Sequence, residues 1–342
     1  MDIPRLFELK WQSAIVSREA DGNYATNNDW RRYDFCSSER FTALVVEADG
    51  RIVGMLDFHE RYDTGLGAPA FYIEDIFVEP AQRRLGVGTS LLAGLAVHAR
   101  DRNISRIDLH VRENNSAARG LYRALGFERL RGCMVAVLSC QAPFDRAKIG
   151  SRALHWGADA SSNAAMTPGR SAEPIEFHIR FAEPKDVARL FQLKCQMAMS
   201  DGTILAMRAT EDDWRRDSSG PHPRFAAVVA EHDAAIVAML TFSVHLYGAS
   251  PEPALCIQDI FVQPDCRRQG IASSLLAELY VHARRLKFSH IELTIQNHHS
   301  AGKAMSRRLG FARARHCASY LLAGPSLLQL AESAGNIAGL LT

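Results

Sequence analysis

The stretch from Val78 to Thr89, VEPAQRRLGVGT, sets two arginines and two glycines between a β-rich run and an apolar-periodic one. Backbone N–H groups of such a turn, together with those at the start of the following helix, can converge on one anion. Gly86 and Gly88 let the backbone come close, Leu85 and Val87 complete the turn, and Arg83 and Arg84 add positive charge. Thr89 is expected to cap the helix. The chemistry this layout serves is phosphate binding. No GK[ST] follows, which excludes a Walker loop, and no βαβ unit with an acid at the right distance supports a dinucleotide fingerprint. A metal site is not implied. The cysteines at 36, 133, 140, 195, 256, 266 and 317 show no CxxC or CxxH spacing, and His298–His299 lack partners at zinc spacing.

The same layout recurs as RRQGIA, with Arg267, Arg268, Gly270 and Ala272. A constant step of 184 residues relates Ile73 to Ile257, RLFELK at Arg5 to RLFQLK at Arg189, DWRR at Asp29 to DWRR at Asp213, and Gly126 to Gly310. No gap is needed from Arg5/Arg189 to Phe127/Phe311. Solenoid units run roughly 20–50 residues, so this is a tandem pair of whole domains. The partition expected is a first domain over 1–140, a Gly/Ala/Ser/Pro-rich linker over 141–173, a second domain over 174–324 and a C-terminal tail over 325–342. The second copy opens with EFHIRFAEP, an alternating segment that reads as a strand, and the first copy has no counterpart. The linker is expected to cover the sheet edge this leaves bare.

Each unit must hold its turn in place with a small set of elements. DIPRLFELK reads as a helix, and FTALVVEADGRIVGMLDF as a hairpin turning at Asp49–Gly50. AFYIEDIFVEP is a strand ended by Pro80, and GVGTSLLAGLAVHARDR is a helix with a Leu91, Leu92, Leu95, Ala99 stripe. SRIDLHV alternates as a strand, NSAARGLYRALGF is a helix closed by Gly126, and CMVAVLS is a last strand. This order defines an α+β (mixed α/β) fold, each unit a mixed, mostly antiparallel sheet flanked by helices.

Composition fits that class. Hydrophobic residues make up 47% and charged residues 23% of 342, with a net charge of +2, so nothing calls for a nucleic-acid or membrane partner. Odd, unpatterned cysteines and a start without a signal-peptide pattern give a cytoplasmic expectation.

The strand IEDIFVEP, the turn RRLGVG and the frame N-x-x-A-x-x-x-Y-x-x-x-G-F from Asn115 to Phe127 stand in fixed order. In that order they resemble the GNAT N-acetyltransferase superfamily, over nearly all of both halves. The spelling IEDIFV looks most like the polyamine (diamine) acetyltransferases. The resemblance implies that the turn holds the pyrophosphate of acetyl-CoA and that Ile76, Phe77 and Val78 border the donor. A backbone N–H of Ile76 or Phe77 would face the thioester oxygen, and Asn115 would contact the pantetheine or phosphate arm.

Acetyl transfer to an amine requires removal of a proton from an ammonium whose pKa is about 10 and protonation of a thiolate whose pKa is about 8.5. The resemblance gives the first task to Glu74, expected to share a strand face with Ile76 and Val78 while Asp75 points the other way, and the second to Tyr122. In the second copy these positions hold Gln258 and Ser306, and Asn115 becomes His299. The reading is a catalytic first domain and a second that is structural or CoA-binding, an internal imitation of a homodimer partner. A monomer with pseudo-dimeric domains or a homodimer both fit. The acceptor expected is the primary amine of a small molecule, drawn by an acidic entrance of Asp57, Glu60, Asp63 and Glu74. The rival readings are a non-catalytic acyl-CoA-binding or scaffolding protein, and an acyltransferase for a longer acyl-CoA or a protein amine.

Overall fold

A computed structural model describes residues 3–16, 42–130, 133–139, 175–220, 223–245, 253–313 and 317–337. Helix α1 (Ile3–Val16) buries Leu6 and Leu9 on one face, against Met55 and Phe77. Strands β1 (Thr42–Ala48) and β2 (Arg51–Asp63) turn at Asp49 and Gly50, with φ of 51° and 72°. Two successive left-handed residues match the twist of the flanking strands, which is why Asp-Gly closes this hairpin. Strand β3 (Ala68–Val78) leads through Pro80 to helix α2 (Val87–Asp101), and strand β4 (Arg106–Arg112) leads to helix α3 (Ser116–Ala124). Short strand β5 (Glu128–Leu130) precedes β6 (Cys133–Ser139).

The second copy repeats the order. It has an added first strand β7 (His178–Phe181), helices α4 (Val187–Ser200) and α5 (Glu211–Asp217), and strands β8 (Ala226–His232), β9 (Ala235–His245) and β10 (Ala254–Val262). Helix α6 (Ile271–Arg285), strand β11 (His290–Gln296), helix α7 (Ser300–Arg308), strands β12 (Ala312–Arg313) and β13 (Cys317–Ala323), and helix α8 (Gly324–Ile337) follow.

The strands form two sheets, ordered β1-β2-β3-β4-β13-β5 and β12-β6-β11-β10-β9-β8-β7. Only β3/β4 and β10/β11 are parallel among the described pairs, so the sheets are mixed and mostly antiparallel. The order reveals an exchange that the repeat register does not show. Strand β6 of the first copy pairs along its length with β11 of the second, and β13 of the second pairs with β4 of the first. Leu138 therefore enters the second core. The segment expected as a tail is largely helix α8, and its Leu327, Leu330 and Ala331, with Leu322 of β13, lie in the first core. Burying each such leucine contributes about 2 kcal/mol. Strand β7 extends the second sheet beside β8, whereas among the described residues the first sheet ends at β1. The linker expected to cover that edge lies outside the described residues.

Candidate active site

The two phosphate-type turns are built alike. Arg83 donates from Nε to Val78 O (3.1 Å) and lies over the Phe77 ring; Arg267 donates to Val262 O (2.9 Å) and lies over Phe261. The arginine beyond each, Arg84 and Arg268, is left-handed, with φ of 67° and 69°, and each helix starts from a left-handed glycine, Gly86 at 88° and Gly270 at 86°. The first helical bond in each is Ser90 N–H to Gly86 O and Ser274 N–H to Gly270 O. The N–H groups of Val87, Gly88 and Thr89, and of Ile271, Ala272 and Ser273, thus precede the helix ladder and sit at its positive end. Thr89 lies inside the helix and does not cap it; the cap position is Gly86, without a side-chain bond. Leu85 is exposed and Val87 is buried. A Cβ on Gly88 would meet Leu121 Cδ2 at 3.2 Å, whereas at Ala272 the facing residue is the flexible Met305.

Beside each turn the sheet opens. The β3/β4 ladder runs only from Phe71/Ile107 to Ile73/Leu109, and β10/β11 only from Leu255/Ile291 to Ile257/Leu293. Past those points the strands have no parallel partner, leaving the edges of Ile76–Val78 and Ile260–Val262 facing a wedge. In the second copy the wedge is a cavity of about 490 Å³, lined by Val262, Gly270, Ala272, Ile295, His299 and Met305 among others. Its volume, its largely apolar lining and a helix N-terminus at one wall fit a phosphate-bearing, apolar-armed donor such as acetyl-CoA.

Asn115 caps α3, its side chain accepting from Ala118 N (3.1 Å). His299 performs the same task in the second copy, Nδ1 accepting from Gly302 N (2.9 Å). Gly302 stands where Ala118 does, and a Cβ there would come within 2.6 Å of the imidazole. The Asn-to-His difference therefore keeps the cap, at the cost of a small residue three positions on.

Glu74 is the extra residue of a β-bulge. Asp57 pairs with Asp75 and Phe58 with Ile73, leaving Glu74 unopposed. The bulge breaks the expected alternation. Ile76 and Val78 pack on the α2 side, but Glu74 turns to His59, with Oε1 3.2 Å from Nδ1, on the face where Asp75 meets Lys10. Gln258 is the matching bulge residue in the second copy. The Glu74 side chain is 8% exposed. Burial pushes its pKa up, Lys10 and Arg61 pull it down, and Glu292 and Asp75 push it up again, leaving it at about 8. Tyr122 is buried against Phe127 in the first core, and burial, with Asp75 nearby, holds its phenol above the usual tyrosine range.

The acidic entrance does not form as expected. Asp57 is fully buried and bonded to Lys10 (2.6 Å). Glu60 pairs with Arg224, and Asp63 pairs with Arg106 (2.9 Å) while accepting the Gly65 and Leu66 N–H groups. Three of the four carboxylates are committed to the fold.

The second copy's counterpart of this site is occupied by the first copy's own chain. Thr64, at the tip of the β2–β3 hairpin, donates its N–H to Gln258 Oε1 (3.2 Å) and its hydroxyl to Asp259 Oδ2 (2.8 Å), and accepts from Trp214 Nε1 (3.0 Å). Lys194 bonds Asp259 (2.6 Å) and Thr64 Oγ1 (3.2 Å). Gln258 Nε2 completes the set by donating to Ser243 Oγ (3.1 Å). A chamber of about 300 Å³ beside Thr64 shares Ile257, Gln258 and Thr294 with the wedge. Ser306, in the place of Tyr122, spends its hydroxyl on Lys303 O (3.1 Å).

In the sequence His59, Arg61 and Thr64 stand out only as members of segment 59–69, where the two copies diverge and acceptor choice is expected to lie, with no role given to any one of them. The β2 alternation puts Asp57, His59 and Arg61 on one face, but only the bulge reveals that Glu74 joins them. Among the described residues no group of three or more His, Cys, Asp or Glu is placed to hold a metal, and no helix is long and apolar enough to cross a membrane.

Two mixed sheets, each split by a wedge beside a left-handed glycine turn, define a tandem acyl-CoA-type fold. The chain belongs to the acetyltransferase (GNAT) family, whose model matches residues 3–127 and again 188–311, more than half of its length. It is 35% identical over 93 residues to a thialysine N-epsilon-acetyltransferase of Bos taurus, covering 26% of this chain and 54% of that protein. It is 42% identical over 89 residues to a mycothiol acetyltransferase of Thermobispora bispora, covering 25% and 30%. The chain thus spans about half or less of these two relatives. A GCN5-related N-acetyltransferase from Sphaerobacter thermophilus shares the fold with a TM-score of 0.52 at 17% identity, over 90% of this chain and 89% of that one.

Proposed function

We propose that the protein transfers the acetyl group of acetyl-CoA to a primary amine of a small molecule by direct attack, with the first half catalytic. The observation that carries this reading is the buried bulge residue Glu74, whose carboxyl is held at about 8. A carboxylate with that affinity takes a proton from an ammonium far more readily than an ordinary one. When bound, acetyl-CoA supplies an activated acyl carbon. Val87–Thr89 and Gly86 would hold its phosphates, Arg84 would add charge, and the unpaired edge at Ile76–Phe77 would offer an N–H to the thioester oxygen. In this reading Tyr122, protonated throughout the physiological range, would give its proton to sulfur, and Asn115, the cap of α3, would keep that helix in position.

The second half keeps the donor wedge but has Gln258 for the base, Ser306 for the acid and Thr64 in the acceptor's place. It binds CoA or serves as structure rather than turning over. Small diamines and amino sugars are the acceptors to try first, since the relatives include a thialysine N-epsilon-acetyltransferase and an aminoglycoside N(6')-acetyltransferase. Thiol release from acetyl-CoA, followed with a panel of diamines, diamino acids and aminoglycosides, tests the reading. Amine-dependent release, lowered about a hundredfold in Glu74→Gln at neutral pH, is the expected result. Release that ignores every amine sinks it.

A further inference from the structure

Neither ring nitrogen of His59 has a hydrogen-bond partner among the described residues, and neither does Oε1 of Glu74. Yet Nδ1 and Oε1 stand 3.2 Å apart, with the His59 and Glu74 side chains 3% and 8% exposed. Two buried acceptors at that separation are tolerable only with a proton between them. The second half closes the other side of His59. The ring of His245 lies 5.0 Å from that of His59. Arg61, stacked 4.0 Å over Tyr72, reaches across to His245 (3.2 Å), Cys256 (3.3 Å) and Glu292 (3.5 Å).

We propose that His59 is a positioning residue for the base, holding Oε1 of Glu74 through one shared proton while Oε2 takes the proton leaving the acceptor's ammonium, and that the second half completes this pair. The proposal rests on the assignment of Glu74 as base. In the proton transfer the N–H bond of the ammonium breaks and an O–H bond at Oε2 forms, with no other bond altered. His59 stays neutral, because burial and Arg61 push its pKa down to about 3. It therefore offers a fixed N–H to the carboxylate rather than a second charge. The groups facing the pair come from every neighbouring element: Lys10 of α1, Asp57 and Arg61 of β2, Tyr72 and Asp75 of β3, His110 of β4, His245 of β9, Cys256 of β10 and Glu292 of β11. Three of these belong to the second copy. The counterpart of His59 there is Ser243, which serves Gln258 in the same way but as an acceptor. Each copy therefore pairs its bulge residue with the residue at this position.

The test is NMR of the full chain carrying 13C at glutamate side-chain carboxyls, with the Glu74 signal identified by its absence from Glu74→Gln. His59→Phe removes the donor to ionised Oε1 and should raise the Glu74 midpoint by about one pH unit. His59→Gln, which keeps an N–H donor, should return it most of the way. Glu292→Gln removes a negative charge from the second half and should lower it. An unmoved midpoint in His59→Phe overturns the pair, and an unmoved midpoint in Glu292→Gln overturns the second half's share. With any amine the wild type acetylates, the pH limb of kcat/KM should move with the NMR midpoint in His59→Phe. A fixed limb beside a moved midpoint overturns the positioning role and leaves the acetyltransferase reading intact. A wild type that acetylates no amine breaks that reading, while the midpoints still decide whether the pair exists.

Discussion

The first and second halves start from one architecture and differ where a polar atom is left over. At Glu74 a carboxyl is buried with Oε1 3.2 Å from His59 Nδ1, and its proton is not fixed by a closed set of hydrogen bonds. At Gln258 both ends of the amide are used, one by Thr64 N–H and one by Ser243 Oγ. The hydrogen bonds of the second site close on themselves, which supports the proposal that it does not turn over. The first keeps a buried carboxyl that can still take up or release a proton, which costs free energy and is what proton transfer needs. A glutamine at 258 and its cover by the neighbouring hairpin go together, since an amide fits under Thr64 where a charge would have to be paired.

Separating the halves should have the largest effect. Chains 1–140 and 174–342 made apart would leave the first sheet without β13 and α8 and the second without β6. Each would expose a strand edge; the first core would lose Leu322, Leu327 and Leu330, and the second Leu138, against a stability of about 5–15 kcal/mol for a typical domain. Circular dichroism and hydrogen exchange should find neither half cooperatively folded alone, with recovery when the two are co-expressed. A first half that folds and acetylates by itself would break the picture of one interlocked unit.

The glycine turns give the next contrast. Nothing lies within 4 Å of a Cβ at Gly86 or Gly270, but both have φ near +90°. Valine at either should therefore act through backbone strain of about 1–3 kcal/mol rather than through a clash inside the protein. In calorimetry with acetyl-CoA, Gly86→Val should weaken first-half binding about tenfold or more and remove turnover. Gly270→Val should leave turnover in place and affect only a second binding event. Equal loss of turnover in both variants would make the second wedge part of the working enzyme.

Glu74→Gln should divide activity from stability. Turnover should fall about a hundredfold, most steeply below pH 8, where the wild-type limb rises as Glu74 ionises. Stability should move the other way. The folded pKa lies above the unfolded value, so the native state holds this proton longer than the unfolded state and loses stability as pH rises from the unfolded pKa to about 8. The variant is spared that loss, and its Tm advantage should grow from pH 5 to pH 8 and then level. An advantage that is flat across that range would remove the buried charge as its cause.

Much of this contrast was legible in the sequence. The 184-residue register, the two turns and the Glu/Gln, Tyr/Ser and Asn/His differences follow from residue identities and spacing. What escaped are features set by which strand pairs with which. Strands β6 and β13 read as strands, but their alternation is equally content in either sheet, so the exchange is invisible until partners are known. The bulge is likewise a property of the β2–β3 pair, and it alone turns Glu74 from the α2 face to His59. Thr64 resembles any hairpin residue until the second half is laid beside it, and the acidic entrance failed because Lys10, Arg106 and Arg224 come from distant segments.

The smallest effect, and the sharpest comparison, belongs to Gln258→Glu. The new carboxylate could still accept from Thr64 N–H, and Ser243 could rotate its hydroxyl to donate, so both hydrogen bonds survive with roles reversed. What changes is one buried negative charge beside Asp259, whose own charge is balanced by Lys194. The cost should be about 1–2 kcal/mol at neutral pH, fading as the solution is acidified and the carboxyl takes up its proton. A glutamate at 258 should not bring turnover, because Ser306 still stands for Tyr122 and Thr64 still fills the acceptor's place. Thermal unfolding across pH would show the cost, and thiol release in a Glu74→Gln, Gln258→Glu double variant would show the silence. Amine-dependent release by that double variant would mean that the glutamate alone separates the two halves, and that Thr64 is no barrier.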